Sequence, residues 1–67
     1  MEIVIRINGK DERRKAGTIA ELVAGRGLAP GSLVVEYNGR IIKQDDWVKV
    51  MLRQGDELEL LNFVGGG

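Results

Sequence analysis

The chain has no cysteine and no histidine. Missing cysteine excludes disulfides, thiolate zinc sites and a cysteine nucleophile. With histidine gone as well, triads of the Ser-His or Cys-His kind and the common transition-metal sites are also excluded. Long apolar runs are lacking: Met1-Glu2-Ile3-Val4-Ile5-Arg6 meets charge almost at once, so neither a signal peptide nor a membrane-spanning segment is expected. Charge of one sign is lacking too, because ten Lys and Arg cancel ten Asp and Glu. No broad field is left to gather nucleic acid or an anionic membrane. At 67 residues the chain is one small domain, near the lower limit for a core without staples. These absences predict a soluble, cytoplasmic protein with no metal site.

What is present is a run of short elements with clear punctuation. Met1, Ile3, Ile5 and Ile7 alternate with Glu2, Val4, Arg6 and Asn8, the period of a strand with one face buried. Asn8-Gly9 is a two-residue hairpin signal, and the charged return strand Lys10 to Lys15 suits a protected sheet edge. Thr18 and Glu21 have capping-box spacing, with Ile19, Leu22 and Val23 forming the apolar stripe of a short helix. Gly25 and Gly27 are suited to stopping that helix in the left-handed conformation, and Leu28 to packing back on the core. Pro30-Gly31 fits a type II turn leading into Leu33-Val34-Val35-Glu36-Tyr37, and Asn38-Gly39 turns that strand into Arg40-Ile41-Ile42. Gln44 to Val48 reads as a helical turn with Asp45 or Asp46 as its N-cap. Gln54-Gly55-Asp56 is a turn before a final strand, Glu57 to Phe63. Trp47 and Tyr37 are expected to be spent on packing. A hairpin, a helix laid across it and a closing strand beside the first predict an α+β fold, a ubiquitin-like β-grasp. Its mixed sheet would have four to five strands with one main helix packed across it.

The sequence closes on Phe63-Val64-Gly65-Gly66-Gly67. Without Cβ atoms, glycines can thread a channel too narrow for side chains and present a terminal carboxylate beyond it. Four extended residues from Val64 reach roughly 13 Å. The division expected is a β-grasp domain over residues 1–64 and a flexible glycine tail over 65–67, although frayed ends also carry glycines.

A β-grasp pattern with the Asn38-Gly39 hairpin, the Asp46-Trp47 pair, Gly55-Asp56 before the last strand, and Phe63-Val64 running into terminal glycines resembles the ThiS family. These are the sulfur carriers of thiamin biosynthesis, and the resemblance covers the whole chain. It implies a protein co-substrate and not an enzyme, with no catalytic residue and no bound cofactor. An E1-like adenylating enzyme (ThiF-like) would consume ATP to adenylate the Gly67 carboxylate. A persulfide sulfur donor such as a cysteine desulfurase would then convert it to a thiocarboxylate. A thiazole synthase (ThiG-like) would draw on that sulfur to build the thiazole ring. Gly65 and Gly66 would thread the partner active sites.

Ordering Val64 to Gly67 costs roughly 4–8 kcal/mol at about 1–2 kcal/mol per residue, so the folded body must supply a docking surface. If Leu58 and Leu60 face the helix, Leu61 and Phe63 face outward. Val4 interrupts the polar outer set of the first strand in the same way. Val4, Leu61, Phe63 and Val64 are therefore the expected partner docking surface, each buried side chain contributing roughly 1.5–3 kcal/mol. Scattered surface apolars are the alternative reading of these residues. Three other functions fit the same sequence: a molybdopterin-synthase-type sulfur carrier, a ubiquitin-like protein modifier, and a non-catalytic β-grasp interaction module.

Overall fold

Both Asn-Gly pairs adopt the left-handed backbone that tight hairpins require. Asn8 and Asn38 have φ of 52° and 48°, and Gly9 and Gly39 have φ of 82° and 86°. In a computed structural model, which describes residues 1–63, these turns join β1 (Glu2–Ile7) to β2 (Lys10–Lys15) and β3 (Leu33–Tyr37) to β4 (Arg40–Ile42). The last strand, β5 (Glu57–Asn62), inserts between the hairpins to give a five-stranded sheet of order β2-β1-β5-β3-β4. β5 pairs parallel with β1 and antiparallel with β3. The sheet is therefore mixed, as the sequence pattern predicts.

The single α-helix among the described residues, α1 (Ile19–Gly25), begins with a complete capping box. The Glu21 amide donates to Thr18 Oγ1 at 3.1 Å, and the Thr18 amide donates to Glu21 Oε1 at 2.8 Å. Ile19, Leu22 and Val23 are buried against Ile3, Ile5, Ile7, Val35, Leu58 and Leu60. Trp47 closes one side of this core, 4% exposed, with its indole N–H donating to the Ile42 carbonyl at 2.9 Å. The start of α1 is tied to the segment before β5, where the Ile19 amide donates to the Val50 carbonyl and the Leu52 amide to the Gly17 carbonyl. The charged strand β2 lies at a sheet edge, with Arg13 ion-paired to Glu2 and Glu12 to Arg26 of the helix end.

Three local expectations are corrected. Pro30–Ser32 is a 3-10 turn rather than a type II turn, because Gly31 does not take positive φ and proline suits the first position of a helical turn. Gly25 is the last residue of α1, and only Gly27 (φ 69°) turns left-handed after it. The segment Gln44–Lys49 is also a 3-10 helix, and its N-cap residue is Lys43, with no side-chain cap. Asp45 and Asp46 sit inside its first turn, where negative charge meets the free amides without capping them.

Asp56 is a buried charged residue that organises the approach to β5. Its carboxylate accepts from the Tyr37 hydroxyl at 2.8 Å, Asn38 Nδ2 at 3.1 Å and the Arg53 amide at 2.8 Å. Burial, followed by the hydrogen bond and charge of Asp56, raises the Tyr37 pKa. The contribution is complete below the ordinary tyrosine value and is lost as pH rises through the raised one, because the folded state holds its proton longer. Asp56→Ala leaves these donors without their acceptor. The expected loss is about 3 kcal/mol of folding free energy, read by urea denaturation. A loss below about 1 kcal/mol would show that solvent replaces the carboxylate without penalty.

Candidate functional site

β5 is the element that leads to the glycines, and its alternation decides what surrounds their departure. Leu58 and Leu60 are buried, so Leu61 and Phe63 face away from the helix, 50% and 61% exposed. Val34 pairs with Leu61 across β3 and therefore shares the outer face. Ile41, 69% exposed, pairs with Glu36, two residues along β3 from Val34 and on that same face. The Phe63 amide donates to the Ser32 carbonyl at 2.7 Å, which holds the end of the described chain against β3. Val34, Leu61 and Phe63 thus form an apolar patch at the end of β5 that leads to the glycines, with Ile41 at its margin, level with Glu36 and Glu59.

Beyond the patch the outer face becomes charged. Glu36 and Glu59 stand directly opposite each other, and neither makes an ion pair among the described residues. Like charges so placed repel, and a cationic partner group would relieve the repulsion. Farther along, Arg6 bridges Asp11 at 3.2 Å and Glu57 at 3.7 Å. Arg40 and Arg53 line a separate recess with Lys49, beside Tyr37 and Asp56, at the opposite end of the sheet from Phe63.

Val4 is not part of the patch. It lies on the outer face, half-buried, but the parallel register Arg6↔Glu57 and the hydrogen bond from the Gly55 amide to the Val4 carbonyl place it level with Gly55. Leu61 lies six residues farther along β5, about 20 Å away at roughly 3.3 Å per residue. The expected grouping of Val4 with Leu61 and Phe63 is therefore corrected: adjacency of the first and last strands does not bring these residues together, because the strands overlap only in part. Val34 and Ile41 take the place Val4 was expected to fill. Val34-Val35 is apolar on both faces of β3, and only its register against β5 shows which valine faces out. Val64, Gly65, Gly66 and Gly67 lie outside the described residues.

The described residues contain no cluster of Cys, His, Asp and Glu able to hold a metal ion. None of their helices is long and apolar enough to cross a membrane.

Comparison with known proteins agrees with the fold. Residues 2–67 match the ThiS family model. The sulfur carrier protein ThiS of Bacillus subtilis (strain 168) is 38% identical over 66 residues, which cover 96% of this chain and 100% of that protein. A thiazole synthase of Magnetococcus marinus is 36% identical over 64 residues, 94% of this chain, and the chain spans 20% of that protein's length. The crystal structure of the thiamine biosynthesis protein (ThiS) from Geobacter metallireducens superposes with a TM-score of 0.81 at 26% identity, covering 97% of this chain and 100% of that one.

Proposed function

The chain belongs to the ThiS family, and from that premise we propose that it carries sulfur on the α-carboxylate of Gly67 for thiazole formation. The observation that carries this reading is the placement of β5. The central strand, held by β1 on one side and β3 on the other, leads into the glycine run with an apolar patch beside its end. A rigid mount, a docking face and a narrow tail are what a carrier needs when its partners hold the catalytic groups.

The chemistry follows from the carboxylate itself. At neutral pH it is anionic and has no good leaving group. An E1-like enzyme overcomes both obstacles by transferring AMP from ATP to the Gly67 carboxylate, releasing pyrophosphate. A persulfide sulfur then attacks the acyl carbon and displaces AMP. A thiol reduces the resulting sulfur–sulfur bond, which leaves the thiocarboxylate, and a thiazole synthase receives its sulfur. The absence of cysteine suits this scheme, since no side chain competes for sulfur. The match to part of a thiazole synthase supports that enzyme as the acceptor, because fusion keeps a carrier at high effective concentration beside its partner.

Docking falls to Leu61, Phe63 and Val64, joined by Val34 and Ile41. At roughly 1.5–3 kcal/mol per buried side chain, this patch offsets the cost of ordering Gly65, Gly66 and Gly67 in a channel. The unpaired Glu36 and Glu59 favour a partner surface with a cationic group beside its apolar one.

Intact mass after incubation with ATP, an E1-like adenylating enzyme and a persulfide source tests the reading. Replacement of one oxygen by one sulfur is the expected result. An unchanged mass with partners shown to be active on their own carrier would overturn it. Transfer of the chain to a lysine of another protein would favour a ubiquitin-like modifier instead.

A further inference from the structure

The parallel ladder between β1 and β5 continues one step beyond the point where the β1 main chain leaves it. Within the ladder, the Arg6 amide donates to the Asp56 carbonyl at 2.9 Å and the Asn8 amide to the Leu58 carbonyl at 3.0 Å. Leu60 is the next β5 residue whose N–H and C=O face β1. At that level the chain has already turned at Asn8-Gly9 toward β2. The Asn8 side chain takes over: its Oδ1 accepts from the Leu60 amide at 2.8 Å, and its Nδ2 donates to the Leu60 carbonyl at 3.5 Å. A carboxamide carries the same donor and acceptor as a peptide group. Here it replaces a missing strand residue.

Past Leu60, β5 is held on the β3 side, through the Leu33↔Asn62 pair and the Phe63 amide to the Ser32 carbonyl. Leu60 is therefore the last described β5 residue with a tie on the β1 side. We propose that Asn8 is a positioning residue for the sulfur-carrying terminus. Its side chain fixes Leu60, and with it the direction and reach of the chain leaving the sheet. The inference rests on the carrier function proposed above. Hairpin geometry alone does not require it, since asparagine, aspartate and glycine all suit this turn position. Only asparagine among them offers both a donor and an acceptor to Leu60. The other Asn-Gly pair supplies an internal control. Asn38 also ties down β5, accepting from the Glu57 amide at 2.8 Å, but at the strand's start, away from the tail.

The test compares Asn8→Gly, Asn8→Asp and Asn38→Gly in the full chain, with two readouts. Amide exchange by NMR reports Leu60, and steady-state kinetics of ATP-dependent thiocarboxylate formation report the tail. Asn8→Gly keeps a Gly-Gly turn and is expected to speed Leu60 exchange about fivefold through loss of its hydrogen bond. It should lower kcat about tenfold, well inside the ~100-fold that a 1 Å misplacement can cause, with KM moved less than about twofold. Asn8→Asp keeps the acceptor for the Leu60 amide and should retain most of kcat. Asn38→Gly should lower the melting temperature but leave kcat intact. Unchanged Leu60 exchange in Asn8→Gly, or an equal fall of kcat in Asn38→Gly, would overturn the proposal. If the wild-type chain takes up no sulfur, the carrier reading fails, and Leu60 exchange alone then decides whether Asn8 fastens the strand.

Discussion

Deletion of Gly67 is expected to abolish sulfur uptake while leaving the fold intact. The argument rests on reach. β5 is fastened at Leu60 by Asn8 and at Phe63 by Ser32, so the chain end cannot advance to compensate for a lost residue without breaking the sheet. One extended residue spans about 3.3 Å, and reacting groups must meet at about 3–3.5 Å, so a carboxylate withdrawn by one residue sits a full bond-forming distance short. An added alanine after Gly67 is expected to fail for the complementary reason, because it would move the carboxylate too far and bring a Cβ into the narrow channel proposed for the tail. Each variant should lose at least ~1000-fold in the rate of thiocarboxylate formation, given that misplacement by 1 Å can already cause ~100-fold. Melting temperatures should match the wild type, since the buried core runs from Ile3 to Leu60. Intact mass and thermal unfolding, measured on the same preparations, decide the matter. Full sulfur uptake by either variant would remove the Gly67 carboxylate from the mechanism.

The elements legible in the sequence were those whose signal is local. The Asn-Gly pairs, the Thr18–Glu21 capping box, the Ile19-Leu22-Val23 stripe and the alternation of β5 each depend on residues within a turn or two of each other, and each forms as its chemistry predicts. The signal is ambiguous where one local pattern admits two backbones. Pro30-Gly31 serves a 3-10 turn as readily as a type II turn, and acids before Trp47 serve the first turn of a helix as readily as its cap. Registers between distant segments were not legible at all. That β5 overlaps β1 only around Arg6 and Ile7 separates Val4 from Phe63, and nothing in either strand alone encodes the offset. The partnership of Asn8 with Leu60, 52 residues away, was hidden for the same reason. Its turn role already accounts for the residue, and no local pattern marks a second one.

The apolar patch makes the other large prediction. Phe63→Asp is expected to weaken binding to the adenylating enzyme by about 10–100-fold, because a buried phenyl ring contributes roughly 1.5–3 kcal/mol and each 1.4 kcal/mol is a factor of ten. The new carboxylate adds to the effect, since it would lose its water against the apolar part of the partner surface without a counter-charge. Stability should change little, because Phe63 is 61% exposed and its one described backbone tie, from its amide to Ser32, is kept by aspartate. Leu61→Asp should act in the same direction, tempered by its contact across the strands with Val34. Val4→Glu provides the contrast. It faces Arg13 across the β1–β2 hairpin, gains an opposite charge there, and lies at the far end of the outer face. Binding should stay within about twofold of wild type, as expected for a surface change outside the contact. Titration calorimetry with the adenylating enzyme, paired with thermal melts, separates the possibilities. A large fall in melting temperature for Phe63→Asp would place Phe63 in the core. Equal losses of affinity for Val4→Glu and Phe63→Asp would mean that the partner covers the whole outer face, and the docking site would then extend from the glycines to the turn at Gly55.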